Sequence, residues 1–391
     1  MSKRQTNPAP PLSAAFLDFF RQESAGGILL LIFAAIAMGL ANSPLLSAYE
    51  HLLHIHITLP LGLDLSLLHW LNDGLMAIFF LVVGMEIKRE FLFGELKSLS
   101  RTLLPIAAAL GGMVVPALFY TALNWGSPSL SGWAIPMSTD IAFSLGVLAF
   151  AAKGVPKSIA VFLTALAIVD DLGGIVVIAL FYSSDISWTA LGAGLIVLAL
   201  LFLAGRRGMH APIVYVIAGL IAWYAFYRAG IHPTVAGVMV GFCIPGGTAE
   251  TEKEFPLARW EHALSPWSSF LIMPLFALGN AGIPLGAESF ASLSSPIGIG
   301  IITGLFLGKP LGIFGAVFLL IKTGLVNMPE GVEFRHFLGA GILAGIGFTM
   351  SIFLASLSFT APADLIGAKA AIVTASVLSG ILGVVVFKMK N

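Results

Sequence analysis

Between Gly26 and Lys388 this chain is a succession of apolar stretches, each close to the ~20 residues that a helix needs to cross a membrane. That recurrence constrains the fold more than any other feature. In hydrocarbon every backbone polar group must be satisfied internally, which leaves helices or closed barrels. Barrel strands alternate in short segments, and these stretches do not. Hydrophobic residues make up 58% of the chain and charged residues 10%, where a soluble domain carries about 25% charged. The expected class is an all-α polytopic membrane protein with about twelve spans: 25–43, 66–88, 102–124, 132–151, 158–182, 189–205, 211–227, 230–245, 262–283, 297–321, 336–359 and 365–387. Net charge is zero, so no basic surface points to nucleic acid, and the single Cys243 offers neither a disulfide nor a cysteine metal site.

The basic residues orient these spans. Cytoplasmic loops collect Lys and Arg. With the N-terminus inside, seventeen of the twenty basic residues fall in inner segments, leaving Arg228, Lys309 and Lys369. Both termini are therefore expected in the cytoplasm. Residues 1–24 lack the features of a secretory signal and read as a cytoplasmic tail, followed by one transmembrane domain over 25–391.

Inside this apolar background a few charges stand out. Asp170 and Asp171 are the only charges between Ser158 and Ser184. A carboxylate at the centre of a spanning helix costs roughly 2.5–3.5 kcal/mol on insertion scales. Adjacent carboxylates also repel when both are ionised. Intramembrane acids of this kind mark ion sites and proton relays.

Asp140 is the only charge between Arg101 and Lys153, in a setting (GWAIPMSTDIAFSLG) that holds Pro136, Ser138, Thr139 and Ser144. Proline removes a backbone donor and bends or breaks a helix. Two readings are open: a kinked helix with Asp140 bonded to a nearby hydroxyl, or a broken helix lining a cavity. The stretch 339–359 carries Gly339, Gly341, Gly345 and Gly347, then Thr349 and Ser351. Glycine interruptions mark transporter sites, but taken alone this span reads as small-residue packing. Lys309 is the only charge between Glu288 and Lys322. A cation buried there needs a partner, and Asp140, Asp170 and Asp171 are the available deep acids.

Nearer the surface, Glu86 and Glu90 in MEIKRE share a helix face. Residues 54–66 (HIHITLPLGLDLS) alternate about Pro60-Leu61-Gly62. This segment is either a β-hairpin, whose edge offers a pairing surface to a second copy, or an irregular loop. The acid-rich segment 246–262 is either a solvated connector or a regulatory loop. His232, before Pro233, and His262, beside Glu261, are scattered histidines, and a lone histidine is more often inert.

Taken together, FFLVVGMEIKREF, GGMVVPAL, GWAIPMSTDIAFSLG, LTALAIVDDLGGI, PLFALGNAG, GLFLGKPLGI and GIGFTMSIF resemble the NhaA-type sodium/proton antiporters from about Gly26 to the C-terminus. The resemblance implies inverted repeats with two interrupted, crossing helices, for which this family is itself a standing example. It implies Asp170 and Asp171 as carriers of Na⁺ and H⁺, Asp140 and Thr139 at the crossing, and Lys309 paired to Asp170. Glu86, Arg89, Glu90, Glu261 and His262 resemble the family's pH-sensing inner face. The implied activity is export of Na⁺, and of Li⁺, in exchange for H⁺. It would be electrogenic and pH-regulated, in the bacterial inner membrane, without a cofactor.

The physical basis is competition. Burial favours the neutral form of a carboxyl group, while sodium selects the ionised form. A sodium-coupled organic-anion symporter is the alternative, but no separate anion-binding Arg or Lys is evident. An intramembrane aspartyl protease would carry a GxGD-type motif, absent around Asp140 and Asp170. The chain therefore reads as a transporter rather than an enzyme, surrounded by lipid.

Overall fold

A computed structural model describes residues 23–94, 97, 99–151, 155–183, 185–247 and 255–389. The N-terminal tail and the acidic residues 248–254 lie outside the described residues. Helices follow one another as α1 (Glu23–Ala41), α2 (Leu46–Leu53), α3 (Leu67–Leu92), α4 (Leu99–Asn124), α5 (Ile141–Ala151), α6 (Lys157–Phe181), α7 (Trp188–Arg206) and α8 (Pro212–Ala229). They continue as α9 (Thr234–Cys243), α10 (256–280), α11 (Ala287–Ser292), α12 (Pro296–Lys322), α13 (Phe334–Ala344), α14 (Phe348–Ser358) and α15 (Pro362–Lys388). A 3₁₀ helix over Pro128–Met137 precedes α5.

Local chemistry sets many of the ends. Proline occupies the first turn of α8, α10, α12 and α15, where its missing N–H costs nothing. Ser295 caps α12 by accepting the Gly298 N–H at 3.1 Å. Gly230 ends α8 in the left-handed conformation at φ 76°.

Helical segments fall in all the expected spans, but they are not equally long. Among the described residues, seven helices are long and apolar enough to cross a membrane, and up to ten spans result if each bent pair counts as one. The expected span 230–245 holds α9, whose 10 residues reach only ~15 Å at 1.5 Å per residue. Gly230, Pro233 and the extended Ile244 confine it. After α1 the chain turns by 116°, so α2 leaves the direction of the first span.

Residues 54–66 resolve to the hairpin reading. Strand β1 (His56–Leu59) pairs antiparallel with β2 (Leu63–Ser66), with His56 opposite Ser66 and Leu59 opposite Leu63. Gly62 supplies the positive φ the turn needs.

Small residues hold the helices at backbone contact. A Cβ on Gly312 of α12 would lie 2.0 Å from the Gly111 carbonyl oxygen of α4, and one on Gly237 of α9 would lie 2.1 Å from that of Ala77 in α3. Close approach through glycine is the packing expected where lipid removes the usual hydrophobic drive between helices. Lys88 seals the α3–α9 pair by donating to the Phe242 and Ile244 carbonyls at 2.8 and 2.5 Å, a cation at the C-terminal end of α9.

Candidate functional site

Two helical pairs are interrupted within apolar stretches, and they cross at their interruptions. The first breaks at 138–140, between the 3₁₀ helix and α5, with a bend of 43°; the second breaks at 345–347, between α13 and α14, with a bend of 44°. The Asp140 N–H donates to the Ile346 carbonyl at 2.7 Å. Thr139 Oγ1 donates to the Ala344 carbonyl at 3.0 Å and Ser144 Oγ to Leu343 at 2.9 Å. In return, Ser351 Oγ donates to the Ile135 carbonyl at 2.8 Å. Each break thus satisfies the carbonyls that the other frees, as irregular backbone in a membrane requires. Glycine is needed here for approach: a Cβ on Gly345 would lie 2.5 Å from the Leu305 carbonyl oxygen.

Asp140 serves both half-helices. One carboxylate oxygen accepts the Phe143 N–H at 3.0 Å, in α5; the other accepts the Thr349 N–H at 3.2 Å and the Thr349 hydroxyl at 2.5 Å, in α14. Two helix N-termini carry about +0.5 charge each, and one buried carboxylate faces both. The helix is broken here rather than kinked, and Asp140 also bonds a hydroxyl, that of Thr349.

The adjacent aspartates lie midway along α6 and are buried, with Asp171 only 3% exposed. Lys309, fully buried, places Nζ 2.7 Å from Asp170 Oδ2. A π-helical turn over Gly304–Gly308 leads into this lysine. Its ammonium also donates to the Met137 carbonyl, at the C-terminal end of the 3₁₀ helix. Lys309 therefore neutralises a carboxylate and the negative end of a half-helix together. Asp171 has no such partner. Its Oδ1, like the second oxygen of Asp170, is buried without a hydrogen bond. Thr139 stands against Asp170, but its hydroxyl hydrogen is committed to Ala344. Asp171 is within electrostatic reach of Asp170, Glu86, Asp140 and Lys309. Among the described residues no group of three or more His, Cys, Asp or Glu side chains is arranged to hold a metal ion. A cation here would draw its remaining oxygens from hydroxyls and carbonyls.

The candidates on the inner face divide. Arg89 Nε lies 3.0 Å from Glu261 Oε2 and Arg89 Nη2 lies 3.6 Å from Glu90 Oε1. Glu86 is within electrostatic reach of the same three side chains. Glu86 is also within electrostatic reach of Asp171. His262 is exposed and joins none of these ion pairs. His232 lies apart, against Asp73 at 3.4 Å and Thr234 at 2.7 Å.

Sequence reasoning noted Thr349 and Ser144 without giving either a role, and it left out the Met137 carbonyl. The parallel between STDIAFSLG and FTMSIFLAS was the available signal for Thr349. A backbone carbonyl has none.

A family model described as Na⁺/H⁺ antiporter 1 matches residues 17–387. Relatives include the Na(+)/H(+) antiporter NhaA 2 of Clostridium beijerinckii, 54% identical over 381 residues, covering 96% of this chain and 94% of the relative. The Na(+)/H(+) antiporter NhaA of Vibrio cholerae is 50% identical over 349 residues, covering 89% and 90%. Among solved structures, the sodium proton antiporter MjNhaP1 from Methanocaldococcus jannaschii aligns over 92% of each chain with a TM-score of 0.55 and 16% identity, a likeness of fold.

Proposed function

We infer the function from one premise: this chain belongs to the Na⁺/H⁺ antiporter 1 family. It is a multi-pass membrane protein that exchanges sodium ions for protons. The observation that best supports a site for this exchange is the unpartnered Asp171 carboxylate beside the Lys309–Asp170 pair. A buried carboxyl with no hydrogen bond is satisfied by taking either a proton or a cation, and it cannot hold both. Sodium and protons then compete for Asp171 and Asp170. Access that alternates between the two faces turns this competition into exchange.

Three finer readings belong to the same proposal. Sodium entering the aspartate pair competes with Lys309 for Asp170 and frees a desolvated ammonium to release its proton. Transport is then electrogenic, and Li⁺ is carried as a smaller cation with the same oxygen preference. Asp140 and Thr139 hold the crossing in place and carry no proton. The cluster of Glu86, Arg89, Glu90 and Glu261, with His262 beside it, regulates access with pH. We place the protein in the bacterial inner membrane with both termini cytoplasmic. That orientation is supported by the basic residues and by the Arg89–Glu261 and Arg335–Met389 contacts, which join segments expected inside. The exposed β1 strand is a pairing edge for a second copy.

The test is sodium-driven proton flux in proteoliposomes across a pH series. Flux with sodium supports the reading; no flux with sodium or lithium at any pH overturns it.

A further inference from the structure

Beside the crossing, α1, α5 and α15 line a cleft of about 800 Å³. Its walls include Ile28 and Leu31 of α1, Phe143 and Val147 of α5, and Ile381 and Val385 of α15. Ser376 is the one hydroxyl among the lining residues, and its oxygen already accepts the Phe348 N–H at 3.2 Å. A cleft whose lining side chains hold a single hydroxyl offers water too few partners, and it stays dry. Left empty, it would forfeit the dispersion contacts of every wall. Its walls lie on apolar helices that cross the membrane, and Ile28, Leu31, Ile381 and Val385 are each more than 45% exposed, so it opens sideways to hydrocarbon.

Two features identify the occupant. The first is length. The α15 wall runs from Ser376 to Val385, which is ~14 Å at 1.5 Å per residue, about half of a ~30 Å hydrocarbon core. The cleft is one leaflet deep. The second is charge. Ser376, Gly380 and Val384 line it at i, i+4 and i+8, and Lys388 continues that stripe at i+12, exposed at the end of α15. A cation thus sits where the cleft meets the membrane surface.

We propose that this cleft is a binding site for one acyl tail of an anionic phospholipid, from the leaflet at the Lys388 end, whose headgroup Lys388 holds. The tail packs on Phe143, whose N–H Asp140 accepts, and beside Ser376, which accepts the first N–H of α14. The lipid therefore braces both half-helices. This inference rests on membrane embedding and not on the identity of the transported ions.

The test is photo-crosslinking of the full-length protein in proteoliposomes, with phosphatidylglycerol carrying a diazirine near the end of its tail. Labelled peptides should concentrate at 143–147 and 376–385. Phosphatidylcholine with the same tail should label those peptides about five-fold less, the equivalent of ~1 kcal/mol for one basic residue at a membrane surface. Lys388→Gln should remove that difference, and Ile381→Trp should fill the cleft and abolish the enrichment. Wild-type labelling spread evenly over the lipid-facing helices would overturn the proposal without any variant. So would a chain lacking residues 2–20 that gains cleft labelling the full chain lacks, because the protein's own N-terminal segment would then be the occupant.

Discussion

Lys309 Nζ lies 2.7 Å from Asp170 Oδ2, and neither side chain reaches water. Breaking a buried pair by removing one partner leaves an uncompensated charge and costs roughly 3–5 kcal/mol. Lys309→Met should therefore lower the unfolding temperature in detergent strongly. The loss should be much smaller in an Asp170→Asn background, where no carboxylate is stranded. Equal losses in both backgrounds would mean that the two residues are not coupled.

Arginine at the same position probes transport. It keeps the charge but does not give up its proton. If Lys309 releases a proton when sodium binds, Lys309→Arg should change the proton-to-sodium ratio or impair exchange. Active exchange with an unchanged reversal potential would leave Lys309 a structural partner of Asp170.

Asp140 faces two helix N-termini. Losing a capping oxygen costs typically ~1 kcal/mol per helix. Asp140→Ala should lose about twice that in thermal unfolding, and Asp140→Asn less, because an amide oxygen still accepts. Neither should alter the ion-to-proton ratio in variants that remain folded. A changed ratio would make Asp140 a carrier.

Packing predicts a contrast within one helix. Gly312→Ala drives a methyl group toward the Gly111 carbonyl, whereas a Cβ on Gly315 meets nothing within 4 Å. The first substitution should destabilise α12 against α4 and the second should leave unfolding unchanged.

Much of this arrangement was legible in one dimension for a simple reason. In a membrane chain, apolar runs announce helices and a lone charge announces a cost that something must offset. Asp140, Asp170, Asp171 and Lys309 stood out on that ground. Contacts between distant segments were not legible. The glycines at 345–347 fit tight packing as well as they fit a break, and only the hydrogen bonds from Asp140 and Thr139 distinguish the two. The π turn before Lys309 and its bond to Met137 depend on which backbone approaches which. The short α9 read as a full span because its apolar run extends past the helix into Ile244 and Pro245.

Competition at the aspartates sets a pH dependence with a definite sign. Protonation removes the anionic form that sodium selects. Apparent sodium affinity should weaken as pH falls through the carboxyl titration, and proton release on sodium binding should follow the same curve. An affinity flat across that range would place the two ions at separate sites.

The most direct measurement replaces one oxygen. Asp171→Asn keeps the shape of a side chain whose Oδ1 has no hydrogen-bond partner and removes its charge. Reconstituted at matched protein density, with thermal unfolding confirming the fold, it is assayed for sodium-driven proton flux across a pH series. The account predicts robust flux for the wild type and none for the variant at any pH. Undiminished exchange by a well-folded Asp171→Asn protein would contradict it.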